Sequence, residues 1–203
     1  MTRHLARLAA VALLLAAGPA AAVEVVAATL AAPSTFAGIA DTSARSAAIF
    51  TEAAKVMMHP RCTNCHPVGD RPSQGEGTST RPHQPPVTRG PDGFGSATLR
   101  CGSCHQKANF DPGRMPGHEH WHLAPLSMAW QGKTAGQICQ QVKDPARNGN
   151  RTIAQVVEHM SHDSLVGWAW APGVGRLPAP GTQKELAALL DAWVATGAAC
   201  PAS

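Results

Sequence analysis

Two short stretches hold the residues with the most chemistry, "MMHPRCTNCHPVGD" at 57–70 and "LRCGSCHQKANF" at 99–110. Each has two cysteines three positions apart and a histidine directly after the second: Cys62, Cys65, His66 and Cys101, Cys104, His105. Thiols at this spacing can reach the two vinyl groups of one porphyrin and bond to it as thioethers. The histidine that follows is then held beneath the iron as an axial ligand. The repeated pattern predicts two covalently bound heme c groups. Three other uses of paired cysteines compete. A zinc ribbon also repeats C-x-x-C, with a spacer of about 15–20 residues. Here residues 66 to 100, 35 in all, lie between Cys65 and Cys101, and both pairs end in histidine. A thiol-disulfide redox pair belongs in a βαβ setting, and none is readable. Plain disulfide loops give His66 and His105 nothing to do.

The sixth position on each iron separates two chemistries. Closed six-coordinate iron exchanges electrons with little rearrangement, whereas open iron takes peroxide, oxygen or another small ligand. His83, in "RPHQPP", is the leading choice for one iron, because neighbouring prolines stiffen its loop and reduce the entropy lost on ligation. The competing use is an exposed polar loop residue. His122, in "HWHLAP", is the leading choice for the other iron, with Trp121 and Leu123 as apolar flanks; its competing use is a backbone bond in a turn. His59 lies three residues before Cys62 and could reach the iron of a neighbouring heme. His159 and Met128 come next, with Met115 a further thioether. His118 and His120 read as surface residues, and His162 ranks below them. Histidine pairs give lower potentials than histidine–methionine pairs. Trp168 and Trp170 fit either core filling or a wall against a heme. Arg100 and Arg176 could pair with the anionic propionates.

The chain resembles c-type cytochromes, specifically small periplasmic diheme ones. It is also similar to cytochrome subunits that accompany isoquinoline 1-oxidoreductase-type molybdenum hydroxylases. The second resemblance is carried by "HPRCTNCHPVGDRP", "PHQPPVTRGPDG", "ANFDPGRMPGHEHWHLAPLSMAW", "VKDPARNGN", "HDSLVGWAWAPGVGRLPAPGTQ" and the closing W-x-x-T-G-A-A-C-P, which together cover most of residues 50–201. It implies an exported molybdenum hydroxylase or another dehydrogenase as the redox partner.

The remaining sequence must deliver and position these groups. Arg3 and Arg7, the apolar run Leu8–Ala17 and the small residues Ala20–Ala22 read as a cleaved export signal over 1–22, which places the chain in the periplasm. The run is too short for a membrane span, and no later stretch is apolar enough to provide one. Basic residues form no run with interleaved aromatics, and the net charge is only +4, so nothing points to nucleic acid. In an oxidising compartment Cys139 and Cys200 are expected to form a disulfide; two buried free thiols are the other use. Four Phe, five Trp and no Tyr, against 17 Pro and 19 Gly, make a thin core that a bound cofactor could fill.

Residues 23–43 read as a weakly ordered Ala-rich leader, and residues 44–203 as one domain. A helix starts near Thr42–Ser43 with Ala47, Ile49, Ala53, Val56 and Met57 on its apolar face. Residues 67–98 are too rich in proline for helix and must form a long loop around a heme edge. "TAGQICQQVKD", "RTIAQVVEHMSHD" and "TQKELAALLDAWVATG" read as helices, the last started by Thr182 and ended by Gly197. The fold class is mostly α with extensive coil: a small cytochrome c-like domain organised around two covalent hemes. The expected function is electron transfer between an exported dehydrogenase and the respiratory chain. The alternative is a diheme peroxidase-like enzyme, with Glu119, His120 or Glu158 as acid-base groups, or a small-ligand sensor with one open iron.

Overall fold

A computed structural model describes residues 28–203, so the export signal expected over 1–22 lies outside the described residues. Helix α1, Thr42–Met57, begins where the Asp41 carboxylate accepts the Ala44 N–H at 2.7 Å. It buries Ile49, Phe50, Ala53, Ala54, Val56 and Met57. Helix α2, Pro60–Thr63, follows directly and carries Cys62. The C-terminal half supplies α3 (Ala135–Lys143), α4 (Pro145–Asn148), α5 (Ile153–His162), α6 (Ser164–Gly167) and α7 (Gln183–Ala195). Thr134 with Gln137 and Thr152 with Gln155 form reciprocal caps on α3 and α5. Thr182 accepts the Glu185 N–H at the start of α7. Each cap satisfies backbone donors that a helix start leaves orphaned.

The core forms where α1 packs on α7 and α3, and α5 packs on α7. Phe50 and Trp193 meet at its centre with ring centroids 4.8 Å apart. Ser46, fully buried, donates to the Trp193 carbonyl and accepts the Ala199 N–H, so the chain end is tied back onto α1. Cys139 and Cys200 form a disulfide that joins α3 to the C-terminal tail. The tail passes so close to Gly136 that a Cβ there would lie 2.3 Å from the Ala202 carbonyl oxygen.

The weakly ordered leader expected over 23–43 requires correction from residue 28 onward. Leu30 is buried and Phe36 packs on the core. The Ala31 N–H donates to buried Glu52 at 2.9 Å, and the Gly181 N–H donates to the Ala28 carbonyl at 2.8 Å. Two apolar side chains and two specific bonds outweigh an alanine-rich composition that has no period of its own.

Residues 64–133 are mostly coil and form a second layer. Their only paired strands among the described residues are β1 (Ser73–Gln74) and β2 (Arg81–Pro82), two residues each and antiparallel. The described part of the chain is mostly helical. No helix among the described residues is long and apolar enough to cross a membrane.

Candidate functional site

Both cysteine–histidine motifs are wound into single turns. The Cys65 and His66 N–H groups both donate to the Cys62 carbonyl, and those of Cys104 and His105 both donate to the Cys101 carbonyl. A turn of this kind brings side chains three and four positions apart onto one face, which gathers each thiol pair beside its histidine.

The histidines are then fixed by distant backbone. His66 Nδ1 lies 2.7 Å from the Met128 carbonyl oxygen, and His105 Nδ1 lies 2.7 Å from that of Pro116. A carbonyl oxygen only accepts, so each Nδ1 carries the proton and each Nε2 keeps a free lone pair. Tryptophans hold the ring planes: Trp130 stacks on His66 at 3.7 Å and 6°, and Trp121 stacks on His105 at 4.6 Å and 14°. Burial pulls His66 down to about 4, against a smaller upward pull from its bond to the Met128 carbonyl. Burial also lowers His105. Both rings are therefore neutral, as metal ligation requires.

His66 lines a cavity of about 560 Å³ with Cys62 and Cys65, and His105 lines one of about 620 Å³ with Cys101 and Cys104. The cavities adjoin: Arg61, Cys65, Trp121, His122, Leu123 and Trp168 contribute to both walls. In that partition Trp121 and Trp168 meet edge to face at 4.8 Å.

Burial pushes Cys62 up to about 12 and Cys65 up to about 11, and it also raises Cys101. Among the described residues no three His, Cys, Asp or Glu side chains converge as a bare metal ion would need. A porphyrin brings its own four nitrogens and asks the chain only for axial ligands. The walls also fit such a group through their unmet polar atoms. Arg89 Nε and Trp130 Nε1 are buried without a hydrogen-bond partner, and both residues line the first cavity.

The expected sixth ligands sort by which ring nitrogen is engaged. His83 Nδ1 donates to the Pro85 carbonyl at 3.0 Å and His122 Nδ1 to the His120 carbonyl at 2.5 Å, so both keep Nε2. His83 lines the second cavity and His122 lines both. His159 lines the first, with Nδ1 3.5 Å from the Asp163 carboxylate. His59 differs: its Nδ1 accepts the Arg61 N–H and caps α2, and the residue lines neither cavity. That acceptor role puts the proton on Nε2 and removes the lone pair a ligand needs there. His118 likewise accepts the His120 N–H at Nδ1. Met128 and Met115 line the first and second cavities respectively, and Met128 also supplies the carbonyl that holds His66.

The two tryptophans of "GWAWAP" divide. Trp168 stands in the partition and donates to Asn109 Oδ1 at 2.9 Å, whereas Trp170 packs against the core and donates to the Pro180 carbonyl. Arg100 and Arg176 line the second cavity, but Arg100 is engaged with Asp92, and Arg176 with the Pro172 carbonyl and Asp111. Sequence reasoning missed Arg61, Arg89 and Trp130. Arg61 stands next to Cys62 and Trp130 two positions after Met128, but nothing local marks them as walls. No family model matches the chain, and no curated protein and no solved structure matches it either.

Proposed function

We propose that this chain is an exported diheme c-type cytochrome that carries electrons between an exported dehydrogenase, such as a molybdenum hydroxylase, and the respiratory chain. Cys62, Cys65 and His66 would hold one heme c, and Cys101, Cys104 and His105 the other. One observation carries the reading: each motif histidine gives its Nδ1 proton to a carbonyl at 2.7 Å, keeps Nε2 free, and lines the same cavity as its own thiol pair. When bound, the group supplies a one-electron iron couple.

The chain's own residues orient it. The Met128 and Pro116 carbonyls fix ring rotation and raise the basicity of Nε2, as outer partners of metal-bound histidine do. Trp130 and Trp121 lock the ring planes. The shared partition supports transfer from one site to the other. The acid-base groups that an enzyme would need are badly placed: Glu119, His120 and Glu158 line neither cavity. Glu119 pairs with Lys107, and Glu158 with His162, on the surface.

The test is the EPR and absorption spectrum of full-length protein made in cells with c-type heme maturation. Electron transfer predicts two low-spin irons that ignore carbon monoxide and peroxide and titrate as two one-electron couples. A high-spin iron in the isolated protein that binds carbon monoxide would contradict it and favour the ligand-binding alternative.

A further inference from the structure

We infer that the hairpin following the first motif supplies the sixth ligand of the second iron: His83 Nε2, opposite His105. The inference rests on the diheme reading and extends it. His83 and His105 both line the second cavity, with ring centroids 5.9 Å apart and ring planes at 60°. Two imidazoles bound on opposite sides of one metal, with bonds of about 2 Å, place their ring centres about 6 Å apart. Both rings have already given the Nδ1 proton to a carbonyl, His83 to Pro85 and His105 to Pro116, so both present the nitrogen that ligation uses. An incidental edge contact between two histidines demands neither the matched protonation nor the shared cavity with Cys101 and Cys104.

The backbone explains how one site comes to serve the other. Strands β1 and β2 pair Ser73 with Pro82 and Gln74 with Arg81, which puts His83 directly after the hairpin. The His83 N–H donates to the Pro72 carbonyl at 2.9 Å, and the His83 carbonyl accepts two bonds from the Arg71 guanidinium. Gln74 Oε1 accepts the Gln84 N–H at 2.8 Å. The other end is tied to the first motif. The Ser73 N–H donates to the Asn64 carbonyl, and Asn64 Nδ2 donates to the Gly75 carbonyl. Gly75 sits at φ +100°, where a Cβ would collide with the Ser79 carbonyl, so the turn requires glycine. Asn64 lies between the two cysteines of the first motif. A strap rooted in one site thus delivers a ligand to the other.

The experiment uses full-length protein carrying attached heme. His83→Ala is expected to turn one of the two hemes high-spin and open to carbon monoxide, leaving the other unchanged. His83→Met, which keeps a ligand in place, is expected to raise the midpoint potential of one couple only. To identify the site, the same His83→Ala change is made in a Cys101→Ala/Cys104→Ala background, where it should leave the spectrum of the remaining heme unaltered. Two low-spin hemes in His83→Ala, or a perturbed first heme in that background, would overturn the assignment. Parent protein with no attached heme would instead overturn the reading beneath it.

Discussion

At the residue scale, the protonation of each imidazole sorts the candidate ligands of the proposed hemes better than its position in the chain does. His59 stands three residues from Cys62 and is the nearest spare histidine in sequence, yet its Nδ1 accepts a backbone N–H and serves α2 as a cap. His59→Ala is therefore expected to leave both hemes low-spin and to cost about 1 kcal/mol of stability, the usual value of a lost cap. Chemical denaturation and the EPR spectrum of the variant check the two halves. A high-spin heme in that variant would return His59 to the ligand set. The turn that gathers each motif could be anticipated from the sequence because its residues lie within five positions. The tautomers could not, because the carbonyls that set them lie 62 residues from His66 and 11 from His105. Trp130 was hidden for the same reason. It is buried, and it stacks on a histidine from the far side of the long coil. Trp130→Ala is expected to lower stability by about 3–5 kcal/mol. It should also shift the EPR signal of the first heme alone, since Trp121 continues to hold His105.

At the scale of elements, the helices were readable where a cap and an apolar period coincide. Helices α3, α5 and α7 each start at a threonine that accepts the N–H three positions on. The segment from 28 to 41 had neither signal, and it is ordered by burial of Leu30 and by the Glu52 bond. The long Pro-rich loop was recognised as a loop, but its short hairpin was not, since two-residue strands have no alternation to detect. The disulfide between Cys139 and Cys200 closes a separation of 61 residues. The chain-entropy model gives such a link about 4 kcal/mol. Cys139→Ala/Cys200→Ala is therefore expected to unfold at lower denaturant by that amount while keeping both hemes, because neither cysteine lines a cavity. Loss of heme with the disulfide would mean that the helical layer and the sites are coupled more tightly than this.

For the whole molecule, two layers differ in what holds them together. The helical layer has its own core around Phe50 and Trp193, closed by the disulfide and by Ser46. The coil layer, 64–133, lines one side of two open cavities of about 560 and 620 Å³ and has few large apolar residues of its own to fill them. Stability is distributed unevenly in such an arrangement. Chain made without heme attachment is expected to keep helical circular dichroism and to be cut by protease first between 64 and 133. Cleavage that begins in the helical layer would contradict this. The same division explains why the fold class could be read from sequence while the cavities could not: helix periods are local, whereas the cavity walls come from both halves of the chain. The central claim is that these cavities are built around two thioether-linked porphyrins. Intact mass and the pyridine hemochrome spectrum of protein matured in a heme-attaching host test it most directly. The account predicts the mass of two added porphyrins per chain and a c-type hemochrome band, with one porphyrin remaining in Cys62→Ser/Cys65→Ser. A colourless protein with the mass of the bare polypeptide would contradict it.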